Sequence, residues 1–157
     1  MRRLLLATLV MLALPLAGRA QTGDAAASNY RPGLGDLMTM TVQPRHLKLG
    51  LAGQEKNWAY AQYALHELEE SLERIAKLVP KWRDIAIGET ILATTKDPLD
   101  AVEQAIKAGD AAKFAAAYGR LTATCNACHQ SSKVEMVVIQ APKSSPFANQ
   151  DFRPIKP

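Results

Sequence analysis

Hydrophobic side chains recur along this chain at steps of three and four residues, the spacing that places them on one face of an α-helix. Four stretches show this spacing, and glycines and prolines separate them. The alternation of polar and apolar positions that is typical of half-buried strands is not found in the sequence. The pattern therefore predicts an all-α fold with four helices.

The first two helices are predicted on either side of a glycine pair, Gly50 and Gly53, which marks the end of the first helix. Pro44 removes one backbone hydrogen bond from the first helix and is expected to kink it. The second helix is predicted over about residues 54–79 and ends at Pro80. The apolar stripe of the first helix consists of Leu37, Met40, Pro44, Leu47 and Leu51. The stripe of the second helix consists of Trp58, Ala61, Leu65, Leu68, Leu72 and Ile75.

The last two helices are predicted around one tight turn. Asp97 is a suitable N-cap for the third helix and Pro98 a suitable first residue, while the preceding residues 81–96 are either a loop or a short helix. Gly109 is expected to end the third helix and Asp110 to cap the fourth, so that the two run antiparallel. The stripe of the third helix consists of Leu99, Val102 and Ile106. The stripe of the fourth consists of Phe114, Tyr118, Leu121, Cys125 and Cys128.

The beginning of the chain has the organisation of an export signal. Arg2 and Arg3 precede an apolar run over residues 4–16, and small residues around Ala20 suit a signal peptidase. The run is shorter than the about 20 residues that a membrane span requires. Residues 1–20 are therefore predicted to be a signal peptide. The chain is expected to contact a membrane only through this segment. An uncleaved anchor is the alternative.

Cleavage after residue 20 leaves 137 of the 157 residues, enough for one domain with its own core. Residues 21–35 are predicted to be flexible and residues 36–140 to form the helical domain, with residues 134–139 extending the last helix. Residues 141–157 contain several prolines and are predicted to be an irregular tail.

The predicted cleavage also changes the charge of the chain. It removes three arginines and no acidic residue, which leaves 16 basic against 15 acidic residues. No basic stripe interleaved with aromatic residues is present, so no nucleic-acid partner is expected.

Both cysteines lie in the run Cys125-Asn126-Ala127-Cys128-His129, which has the pattern C-x-x-C-H. Each thiol of such a pair can form a thioether with one vinyl group of haem, and the histidine offers a ring nitrogen to the iron. The pattern therefore predicts one covalent haem c, attached through Cys125 and Cys128, with His129 as an axial iron ligand. Because c-type haem is attached on the exported side of the bacterial membrane, the motif and the signal peptide both predict the periplasm.

Three other uses of the cysteines were weighed against haem attachment. A redox-active dithiol prefers a strand–helix–strand setting, which the helical pattern does not provide. Structural zinc takes four ligands, and the other histidines, His46 and His66, are isolated in the sequence. A disulfide would close a very small loop and add little stability. Haem attachment is the interpretation that gives every residue of the motif a chemical role.

The segment from Asp97 to Lys133 resembles cytochrome c-prime and related four-helix cytochromes. The shared features are a Gly-Asp pair before the last helix, C-x-x-C-H late in that helix, and a lysine four residues after the motif's histidine. The resemblance implies an antiparallel four-helix bundle with haem near one end, bound by the last helix and facing the first. Ser132 stands where the family usually carries an aromatic residue, so the resemblance is to a divergent relative.

The resemblance also implies that the residue on the distal side of the haem comes from the first helix. Met40 shares the stripe of Leu37 and Leu47, whereas Met38 lies about 200° around the helix from Met40. Met40 is therefore predicted to lie on the distal side of the iron, with Met38 as the alternate. Methionine is also a common core residue, which is the other interpretation of Met40.

Two further residues are predicted to contact the haem. Tyr118 lies on the stripe of the last helix, although aromatic residues at this spacing are often ordinary core residues. Lys133 follows His129 by one turn, and the resemblance implies contact with a haem propionate; otherwise it is a solvated lysine. His46 is expected to be solvated.

Two functions fit these features. The first is an electron carrier that exchanges electrons with periplasmic redox partners, and the alternative is a haem protein that binds nitric oxide or carbon monoxide. No nucleophile or carboxylate constellation suggests an enzyme. The oligomeric state stays open, since the resemblance allows a homodimer through exposed faces of the first two helices.

Overall fold

The regular elements of the structure, a computed structural model that describes residues 30–155, are helices throughout. The predicted signal peptide and most of residues 21–35 lie outside the described residues. In chain order the elements are α1 (Leu34–Leu37), a π-helical segment (Met38–Val42), α2 (Gln43–Gln54), α3 (Trp58–Leu78), α4 (Ile87–Lys107) and α5 (Ala111–Ser131). Since α1, the π-helical segment and α2 follow one another without a gap, they form the first of four helices, and the all-α prediction is confirmed.

The four helices enclose one hydrophobic core. Contacts join α2 to α3, α3 to α4, α4 to α5 and α5 back to α2, which closes the arrangement. Burying a leucine or isoleucine side chain contributes about 1.5–3 kcal/mol, so this core is the main source of stability. Its fully buried large side chains are Leu49, Leu65, Leu68, Ile75, Val102 and Leu121. No helix within residues 30–155 has the length and apolar character needed to cross a membrane.

The turn between α4 and α5 has the predicted chemistry. Gly109 adopts a left-handed conformation with φ 62°, and the N–H of Asp110 donates to the carbonyl of Ala105 at 3.1 Å. The Asp110 carboxylate then accepts from the N–H groups of Ala112 and Lys113 at 3.0 and 2.9 Å. The same few residues therefore end one helix and begin the next.

The turn between α2 and α3 repeats this geometry without a glycine. Lys56 takes the left-handed position with φ 57°, and the N–H of Asn57 donates to the carbonyl of Ala52 at 2.9 Å. The Asn57 side chain then caps α3, which begins at Trp58. The prediction that the second helix begins at residue 54 was therefore wrong, because this cap fixes its first residue.

The prediction of where the third helix begins was also wrong. Helix α4 begins at Ile87, so Asp97 is not its N-cap, and Pro98 lies inside it. A proline inside a helix costs about 3 kcal/mol, but the burial of several large apolar side chains along one face outweighs that cost. The buried face of α4 consists of Ile87, Ile91, Thr95, Leu99, Val102 and Ile106.

The chain reverses direction after α5. Lys133 adopts φ 59°, the N–H of Val134 donates to the carbonyl of His129 at 2.9 Å, and the helix ends at Ser131. Residues 134–139 are therefore not an extension of the helix, contrary to the prediction. The end of the helix could not be predicted here, because the left-handed position that ends a helix is usually a glycine and this chain has a lysine.

Residues 134–155, which we call the C-terminal strap, contain no helix or strand but are held against the bundle. The Gln54 side-chain amide donates to the carbonyl of Pro142 at 2.9 Å, and the Asn57 amide donates to the carbonyl of Phe152 at 3.1 Å. Phe152 is only 5% exposed and stacks on Tyr60. The strap therefore packs against the end of α2 and the beginning of α3.

Two glycines allow α2 and α5 to approach closely. A Cβ atom on Gly53 would lie 1.9 Å from Cε1 of Phe114, and one on Gly50 would lie 2.5 Å from the hydroxyl oxygen of Tyr118. The aromatic rings of α5 thus pack directly on the backbone of α2. This packing sets the distance between the first and last helices on either side of the site described below.

Candidate functional site

An apolar cavity lies between the four helices and the C-terminal strap. It has about 830 Å³ of empty space, counting the part that opens to solvent. Cys125, Cys128 and His129 all line the cavity. Its apolar walls are formed by Met38, Val42, Leu68, Leu72, Ile91, Leu121, Val137 and Ile139.

The cysteines reach the cavity because they continue the buried stripe of α5. Leu121, Cys125 and Cys128 follow one another at steps of four and three residues on one helix face. Both thiols are free and half-buried. Burial, with a smaller effect of the neighbouring Cys128, raises the pKa of the Cys125 thiol to about 11. Because a redox-active dithiol needs a lowered pKa, this environment does not favour that alternative.

His129 is held by a backbone carbonyl of the strap. Its Nδ1 lies 2.7 Å from the carbonyl oxygen of Val137. A carbonyl oxygen can only accept, so Nδ1 carries a proton and donates it, and in the neutral form of the ring the lone pair then lies on Nε2. A hydrogen bond of this kind, from one ring nitrogen to a carbonyl, is how proteins orient histidines that bind metals through the other nitrogen.

The strap is in turn fixed to the motif by Asn126. The Asn126 amide nitrogen donates to the carbonyl of Ile139 at 2.9 Å, and the N–H of Ile139 donates to the Asn126 carbonyl oxygen at 2.8 Å. This paired contact holds residue 139 beside α5, two residues beyond the carbonyl that His129 uses. The sequence analysis did not predict these contacts. They use main-chain groups that the chain reversal brings back to α5, and no residue pattern identifies such groups.

Met38, and not Met40, lines the cavity. Met40 is 68% exposed, so the predicted position of Met40 on the buried face was wrong. The reason is the π-helical segment, in which the N–H of Gln43 donates to the carbonyl of Met38, five residues earlier. Each π-helical turn holds more residues than an α-helical turn. The buried face predicted from a period of 3.6 residues is therefore shifted, and it includes Met38 instead of Met40.

His46 also lines the cavity and is only 5% exposed, so the expectation that it is solvated was wrong. Its Nε2 lies 3.1 Å from the Thr122 hydroxyl, and its Nδ1 lies 3.0 Å from the Tyr118 hydroxyl. Burial lowers the pKa of His46 from 6.5 to about 4, so the ring is neutral at neutral pH. With both ring nitrogens hydrogen-bonded, His46 has no free lone pair directed into the cavity.

Tyr118 and Lys133, the other two predicted contacts, do not line the cavity. Tyr118 lies behind His46, where it stacks on the imidazole with ring centroids 4.7 Å apart. Its burial raises the pKa of the phenol, so the hydroxyl stays protonated. Lys133 is exposed and forms the left-handed residue of the chain reversal after α5. Tyr118 therefore supports a wall of the cavity and Lys133 belongs to the turn.

Within residues 30–155, no group of three or more His, Cys, Asp or Glu side chains is arranged to hold a metal ion by itself. The chain matches no known protein family, no curated protein and no solved structure. The interpretation of the cavity therefore rests on its own geometry.

Proposed function

We propose that this chain is an exported c-type cytochrome that carries electrons in the bacterial periplasm. In this proposal the four helices form an antiparallel bundle, related to the cytochromes c-prime, with one haem c attached through Cys125 and Cys128 and His129 as an axial ligand. The observation that carries the proposal is that these three side chains line one apolar cavity. The predicted signal peptide, residues 1–20, supplies the export that haem attachment requires.

The residues around the cavity fit a haem group in three respects. Two free thiols at motif spacing supply the attachment points. The Nδ1–H of His129 is engaged by the Val137 carbonyl, which leaves Nε2 as the ligand atom. The walls are largely aliphatic, as a hydrophobic macrocycle requires.

When bound, haem would supply an iron centre that accepts and releases one electron, or binds a diatomic gas if a coordination position is open. The chain's own residues favour the first use. Met38 is the sulfur donor of the first helix that lines the cavity, and a Met/His pair of ligands suits electron transfer. His46 is held by Thr122 and Tyr118 and does not compete for that role.

Haem attachment is tested by producing the mature chain together with haem-maturation machinery. We expect a coloured protein whose mass rises by one haem and whose haem survives acidic acetone extraction. Cys125→Ala and Cys128→Ala should each lose one linkage, while Ala127→Ser, an exposed change between the two cysteines, should load normally. A wild-type protein that releases its haem into acetone, or that stays colourless, would refute the proposal.

A second experiment distinguishes the electron carrier from a gas-binding protein. The optical spectrum of the reduced protein is recorded before and after addition of carbon monoxide. Sharp low-spin bands that the gas does not change are expected for a carrier with two protein ligands. A broad high-spin spectrum that shifts immediately would replace the carrier proposal with a protein that binds carbon monoxide or nitric oxide.

A further inference from the structure

The contact between Asn126 and the C-terminal strap joins a variable position of the C-x-x-C-H motif to Ile139, which lies ten residues after the motif ends. The two hydrogen bonds, at 2.9 and 2.8 Å, use both the donor and the acceptor of the side-chain amide. They engage both backbone groups of Ile139. The Asn126 amide therefore pairs with the backbone of Ile139 in the same way as a residue of a neighbouring β-strand would.

This contact fixes the strap two residues after Val137. At the other end, the N–H of Val134 donates to the carbonyl of His129, with Lys133 in the left-handed conformation. The Val137 carbonyl lies between these two fixed points and meets Nδ1 of His129 at 2.7 Å. Its position therefore depends on both ends being held.

We infer that Asn126 is a positioning residue for His129, which acts through the strap by holding the Val137 carbonyl against Nδ1. This inference rests on the proposed function, since it assigns to Asn126 the control of the axial ligand's tautomer and orientation. The partner on the far ring nitrogen of a metal-binding histidine sets its tautomer and raises its basicity as a ligand. Without Asn126, the strap keeps its contacts at Val134 and Pro142 but loses the one at Ile139, so the Val137 carbonyl is held less closely against Nδ1.

Two substitutions and one control test the inference. Asn126→Ala removes both hydrogen bonds. Asn126→Asp has nearly the same shape and keeps the acceptor for the N–H of Ile139, but it loses the donor to the Ile139 carbonyl. Ala127→Ser is the control, because residue 127 is exposed and lies in the same motif. If Asn126→Ala does not fold, Asn126→Asp decides the outcome.

The first measurement is nitrogen-15 NMR of the His129 ring in the full chain prepared without haem, at a pH where the ring is neutral. The wild type and Ala127→Ser should show a protonated Nδ1 and an unprotonated Nε2. Asn126→Ala should show averaged shifts from two tautomers, and Asn126→Asp a smaller change in the same direction. This measurement does not depend on haem attachment.

The second measurement uses the haem-loaded protein. We expect the reduction potential to rise in Asn126→Ala, because a less basic imidazole stabilises the oxidised iron less. If both Asn126 variants keep the wild-type ring shifts and reduction potential, the inference is overturned. If the wild-type chain attaches no haem, the proposed function fails, and the NMR measurement alone decides whether Asn126 positions the ring.

Discussion

Acid should destabilise this protein through one buried group, His46. The ring is neutral in the folded state, and burial lowers its pKa from 6.5 to about 4. Below about pH 6.5 the unfolded chain therefore binds a proton that the folded chain does not bind until about pH 4. The free energy of unfolding must fall as the pH falls through this window, and the loss stops once both states are protonated.

The magnitude follows from the size of the shift. One pKa unit corresponds to about 1.4 kcal/mol, so a shift of about 2.5 units is worth about 3 kcal/mol in total. Between about pH 7.5 and about pH 4.5 the contribution of His46 is about 2.5 kcal/mol. Because the ring is only 5% exposed, solvent screening does not reduce this value much.

The assay compares urea unfolding of the wild type and His46→Phe at these two pH values, with both proteins in the same haem state. Phenylalanine keeps a flat ring against Tyr118 and cannot titrate. The Tyr118 hydroxyl still reaches the carbonyl of residue 46, and the Thr122 hydroxyl still reaches the carbonyl of Tyr118, so neither loses its last partner. The acid-induced loss should be smaller in His46→Phe by about 2.5 kcal/mol. Equal losses in the two proteins would contradict the assignment of a buried neutral histidine.

Three further predictions follow from the packing. Met38→Ala should speed the binding of carbon monoxide to the reduced haem protein, whereas Met40→Ala should leave the binding rate and the spectrum unchanged. Stopped-flow measurement of both variants checks this, and a faster rate in Met40→Ala alone would refute the assigned helix face. Gly53→Ala should lower the free energy of unfolding by about 1–3 kcal/mol through overpacking, whereas Gly119→Ala, with no atom within 4 Å of its new Cβ, should raise it by about 0.5–1 kcal/mol. Lys133→Gly should raise the free energy of unfolding by about 1 kcal/mol, because it relieves a left-handed conformation; a loss of stability in urea titration would show that the conformation is not strained.

The parts of the fold that local chemistry determines were predictable. Gly109 and Asp110 end one helix and begin the next, as expected, because each needs only its neighbours in sequence to do so. Cys125, Cys128 and His129 were placed together by their spacing alone. A motif within one helical turn keeps its geometry wherever the helix packs.

The errors occurred where tertiary packing overrides a local signal. A proline that follows a capping residue such as Asp97 usually begins a helix. Pro98 instead lies inside α4, because burial of the apolar face of that helix compensates for the lost hydrogen bond. The face of Met38 and Met40 was misassigned because a single π-helical turn changes the register without a distinctive sequence. His46 was expected in solvent beside charged neighbours, and its burial is understandable only from Tyr118 and Thr122, which are distant in sequence.

The close packing of α2 against α5 also constrains how the sequence can change over evolution. Position 53 has no room for a side chain while residue 114 is phenylalanine, and position 50 has none while residue 118 is tyrosine. In homologous chains we therefore expect a larger residue at 53 to be accompanied by a smaller one at 114. A larger residue at 50 should require changes at both 118 and 142, since a Cβ there would also lie 2.9 Å from Cδ of Pro142. Such paired substitutions between two distant segments would mark relatives that share this helix spacing, even where little else in their sequences agrees.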